Sequence, residues 1–113
     1  MNKEQAITSF MKAVKTYTNS IDKTAQANIS YKKALYALED AVNQIYRDAD
    51  VKELGSNSEQ RNAKISAQTA DLIIVKRELE YQLEVARAEE SRAKTECDQV
   101  KYIIRALEVK DEA

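Results

Sequence analysis

The chain has 113 residues, a third of them charged, with 18 Lys and Arg set against 19 Asp and Glu. This near-neutrality gives no general attraction to nucleic acid or to a membrane surface. There is no His, which removes the commonest general base and metal ligand.

The first residues, MNKEQAITSFMKAVK, hold no apolar run of the kind a secretory signal needs. They open instead a helix expected over residues 3–51. Ile7, Phe10, Val14, Tyr17, Ile21, Thr24, Asn28, Tyr31, Leu35, Leu38, Val42, Ile45 and Ala49 follow one another in alternating steps of three and four. This is the buried seam of a heptad pattern, apolar except at Thr24 and Asn28. The Thr-, Asn- and Ser-rich stretch 17–30 strains the expectation, because such residues favour caps and turns. Ser20 as the cap of a separate helix is the alternative, and the unbroken phase of the seam favours one continuous helix.

A turn is expected at 53–57. Gly55, the only glycine in a chain without proline, suits a helix end that needs a positive φ. A capping box follows, either Ser56 with Glu59 or Asn57 with Gln60. The glycine and lysine spacing of a phosphate-cradling loop is absent. A second helix is expected over 58–109, with a seam through Ile65, Thr69, Leu72, Lys76, Leu79, Leu83, Ala86, Glu90, Ala93, Cys97, Val100, Ile104 and Leu107.

The pattern predicts an all-α fold, a single helical domain over 1–113. Two long helices joined by a short turn pack as an antiparallel, coiled-coil-like hairpin. Facing residue numbers then sum to about 110. Charge agrees: residues 1–33 carry six lysines against Glu4 and Asp22, a net of +4, and residues 78–113 carry ten acids against six bases, a net of −4. Apolar residues outside the seam, above all Leu72, Ile73, Ile74 and Val75, form a candidate partner surface. They predict a dimer in a four-helix arrangement, with docking of a different protein as the alternative. That run is far too short to cross a bilayer.

Candidate chemistry is sparse. Glu89 and Glu90 stand beside Arg87 and Arg92, which fits a solvated, ion-paired face. The lone Cys97 rules out an internal disulfide, fits a reducing compartment and falls on the seam, where it fills space. Tyr17 and Tyr31 lie on the seam; Tyr36, Tyr46, Tyr81 and Tyr102 flank it, each ring over the core and its hydroxyl in water. Lys12, Lys15, Lys23, Lys32 and Lys33 form the only candidate strip for a nucleic-acid backbone, and attraction to the acidic second helix explains the same residues. No catalytic residue, metal site or cofactor is expected.

The segment LGSNSEQRNAKISAQT and the charged amphipathic helix that follows it, ending VKYIIRALE, resemble small helical proteins of tailed phages and prophages. The matching positions are Gly55, Asn57, Arg61 and Ala63, and the resemblance covers roughly residues 52–109. It implies a long capped C-terminal helix and a place among phage genes near those for recombination or single-strand binding. The expectation is a non-enzymatic interaction protein of the host cytoplasm that binds itself or another protein. The alternative is a nucleic-acid-binding accessory factor of phage DNA replication or recombination.

Overall fold

The computed structural model describes residues 1–49, 54–55 and 57–112. These residues form three helices and no strand: α1 (Lys3–Asp48), α2 (Ser58–Gln68) and α3 (Ala70–Glu112). Ser56, the start of the expected turn at residue 53 and the expected helix end at 51 lie outside the described residues.

α1 is one helix of 46 residues, and its polar stretch does not interrupt it. The hydroxyls there turn back onto the preceding turn. Thr16 donates to the Lys12 carbonyl at 3.1 Å, Thr18 to that of Val14 at 2.9 Å and Ser20 to that of Tyr17 at 2.6 Å. A hydroxyl satisfied inside the helix has no need to cap a new one.

The expected second helix is divided. Thr69 takes φ −107° and ψ 15°, which ends α2 and lets α3 begin at Ala70. The buried Thr69 hydroxyl donates to the Ile65 carbonyl at 2.7 Å, and the Thr69 amide reaches the same oxygen at 3.0 Å. The first is the bond back to the preceding turn that threonine hydroxyls make inside helices. The step is small, because the Ile73 amide still bonds the Thr69 carbonyl at 3.0 Å.

Where one domain is expected over 1–113, contacts divide the chain into two units. Unit 1 holds residues 1–26 and 84–113, and unit 2 holds residues 27–83. In unit 1, α1 and α3 run side by side and antiparallel. Thr24 and Ala86, whose numbers sum to 110, meet directly: the Thr24 hydroxyl lies 3.3 Å from the Ala86 carbonyl and 3.0 Å from that of Ser20. In unit 2, the latter part of α1 lies along α2 and the start of α3, with Leu54, Ile65, Thr69 and Leu83 buried.

The face α1 turns inward differs from the expected seam. In unit 1, Ala6 and Ser20 are buried and Ala13 is half-buried, while Ile7, Val14 and Ile21 stay 45%, 39% and 43% exposed. Phe10, Tyr17 and Thr24 are half-buried as expected. Small side chains at 6, 13 and 20 let two helix backbones approach closely, and the neighbouring large rings then lie over the contact. On α3 the expected positions do face α1: Ala86, Ala93 and Cys97 are buried, and Glu90, Val100, Ile104 and Leu107 are half-buried.

Candidate interaction surfaces

The starts of α1 and α2 are built by one repeated quartet. In Asn2-Lys3-Glu4-Gln5 the Asn2 side chain accepts from the Gln5 amide at 2.8 Å, and the Gln5 side chain accepts from the Asn2 amide at 3.0 Å. This is a complete reciprocal cap. Asn57-Ser58-Glu59-Gln60 repeats the pattern, with Asn57 Oδ1 accepting from the Gln60 amide at 2.8 Å. Of the two expected caps, Asn57 with Gln60 is therefore the one described, and Glu59 supplies an acid in the first turn of α2. The cap at Asn2 was not among the sequence expectations, although the shared quartet was there to find it.

Gly55 has φ +111°, the only positive φ among the described residues. A side chain there would place its Cβ 2.8 Å from Gln60 Cβ. The position thus joins a backbone that disfavours other residues to a close approach of the first turn of α2. These residues shape the turn.

Lys12, Lys15 and Lys23 belong to unit 1, and Lys32 and Lys33 to unit 2. In unit 1, Lys12 and Lys23 border two adjoining grooves of about 310 and 390 Å³ that share Thr16 and Glu96. Glu89, Arg92 and Glu96 form the opposite wall, over a floor of Ala13, Ser20 and Ala93. Small floor residues make these grooves, and their walls carry both signs. Glu89 stands on that wall while Glu90 turns half-buried toward α1, so the two acids do not share a site. Among the described residues no three carboxylates or cysteines gather as a metal site would need.

In unit 2 the Leu72–Val75 block is split by the turn of the helix. Leu72 and Ile73 are half-buried, and Ile74 and Val75 face outward, 64% and 49% exposed. Leu72 also borders a groove of about 530 Å³ with Ala41, Ile45 and Thr69. Tyr36, Tyr46, Tyr81 and Tyr102 are all more than half exposed, so their rings point out instead of lying over the contact. Cys97 is buried. Burial pushes its thiol above the ordinary range, Asp98 and Glu96 add to this, and Lys101 opposes it. A thiol so placed is a poor nucleophile.

Across the described residues no helix is long and apolar enough to cross a membrane. Comparison of the chain with models of known families, with curated proteins and with solved structures finds no match.

Proposed function

We propose that this chain is a non-enzymatic helical interaction protein that works through protein–protein contacts, self-association included. One observation carries the reading. No large side chain among the described residues is fully buried, while Ile7, Met11, Ile21, Ile29, Ile74 and Val109 are each at least 43% exposed. Paired helices cover one stripe of each other, and contiguous apolar surface beyond that stripe marks a contact with another chain. The resemblance at Gly55, Asn57, Arg61 and Ala63 supports a phage or prophage origin, with the protein acting in the host cytoplasm.

Light scattering over micromolar concentrations tests the reading. A mass that stays at one chain, with no protein recovered on a tagged copy from the native host, would overturn it. Binding of single- or double-stranded DNA that falls steeply with salt and is lost on replacing Lys12, Lys15 and Lys23 would favour the nucleic-acid reading instead. The shared grooves of Lys12 with Glu96 and of Lys23 with Glu89 count against that outcome.

A further inference from the structure

We infer that a second copy of this chain packs along α1 of unit 1 on Ile7, Met11, Val14, Thr18, Ile21 and Ala25, forming a parallel two-fold dimer. This rests on the self-association reading above and names its face. The six residues follow one another in steps of four and three, the spacing of a helix–helix seam. All six are exposed, Met11 most at 67%, and none is charged. α1 therefore carries two apolar seams in unit 1. The first, through Ala6, Phe10, Ala13, Tyr17 and Ser20, is covered by α3; the second is not.

The grooves fix which side the open seam occupies. Thr16, Lys23, Glu89 and Glu96 line one edge of the α1–α3 contact. Ile7, Val14 and Ile21 lie across the buried column of α1 from that edge, and Arg87, Lys94 and Lys101 lie across the buried column of α3 from Glu89 and Glu96. The open seam is thus bordered by α3's basic row on one flank and by Lys15 and Asp22 of α1 on the other.

Two features choose a second copy as the occupant. The seam keeps helix spacing over residues 7–25, about 27 Å of helix. Its natural complement is an equally long helix with the same period, and an identical chain supplies one. The second feature is charge. One flank is basic and the other carries Asp22 beside Lys15, so the two flanks partly complement each other. The Thr24–Ala86 contact puts Asp22 and Arg87 at one height. A two-fold axis along the helices lays the Arg87 flank of one copy against the Asp22 flank of the other, twice per dimer. By the same register Lys15 comes level with Lys94 and Asp98, one of each sign. An antiparallel two-fold would set the basic row against itself.

Three chains test this: the wild type, Met11→Glu, and Val14→Cys in a Cys97→Ser background. The wild type is expected to be a dimer by light scattering, and Met11→Glu to weaken it by about a hundredfold or more, because a two-fold interface counts each substitution twice. Residue 14 meets its own copy in a parallel register, so mild oxidation should link the Val14→Cys chain into disulfide dimers, while Ile74→Cys in the same background should not link. Should Met11→Glu fail to fold, the cysteine chains still decide. A wild-type dimer that ignores Met11→Glu, or links at 74 and not at 14, overturns this face and leaves self-association standing. A strict monomer overturns both.

Discussion

Replacing Gly55 by alanine isolates the one position where the backbone itself selects the residue. At φ +111° an L-residue is strained by about 1–3 kcal/mol. The new Cβ would also sit 2.8 Å from Gln60 Cβ and 3.1 Å from Gln60 Oε1. The oxygen ends a flexible side chain and can swing away. The Cβ belongs to the first turn of α2 and moves only if the helix start moves. Against these costs, alanine restricts the unfolded chain and returns about 0.4–1 kcal/mol. The net is a loss of about 1–3 kcal/mol, which at this chain length is a drop of about 4–12 °C in Tm. Melting followed by helical circular dichroism gives the readout, at one fixed protein concentration, because association moves Tm by mass action. In a Gln60→Gly background the Cβ contact is absent but the φ strain remains, so Gly55→Ala should cost less there than in the wild type and still cost something. A Gly55→Ala chain that melts at the wild-type temperature would refute both the strain and the close approach.

Asn57→Ala removes the acceptor that holds the Gln60 amide and should cost about 0.5–2 kcal/mol, read as a lower urea midpoint. Ser20→Leu should destabilise by about 1–3 kcal/mol by overpacking the close α1–α3 approach, whereas Ser20→Ala should stay within about 0.5 kcal/mol of wild type. Equal tolerance of both at position 20 would show that the backbones are not close there. Cys97 should react slowly with thiol reagents in the native state and quickly in denaturant. Because the native thiol holds its proton to higher pH than the unfolded one, its contribution to stability is complete below the ordinary thiol range. It is lost as pH rises through the raised native value. Cys97→Ala should therefore flatten the alkaline side of the stability profile, and identical profiles for the two chains would count against a buried thiol.

The helical class, the turn glycine and the meeting of Thr24 with Ala86 were legible because each rests on spacing or on one residue's stereochemistry. The break at Thr69 was not. Thr24 and Thr69 both bond the carbonyl four residues back, at 3.0 and 2.7 Å, yet only Thr69 interrupts a helix. Local propensity is the same for both, so the difference lies in their surroundings. The inward face of α1 was half legible for a related reason. Three neighbouring columns of that helix are apolar through residue 17: Ala6 and Ala13, Phe10 and Tyr17, Ile7 with Val14, the last continuing to Ile21. Heptad spacing accepts any adjacent pair of columns, and side-chain size favours the branched residues over alanine. Close approach of two backbones reverses that preference, because the smallest side chains admit the nearest contact. Once alanines and aromatic rings face α3, the branched column is left over. A helix with three apolar columns and one helical neighbour keeps one column in water unless a further chain covers it. The residues that the size criterion misplaced are therefore the ones on which the proposed dimer stands.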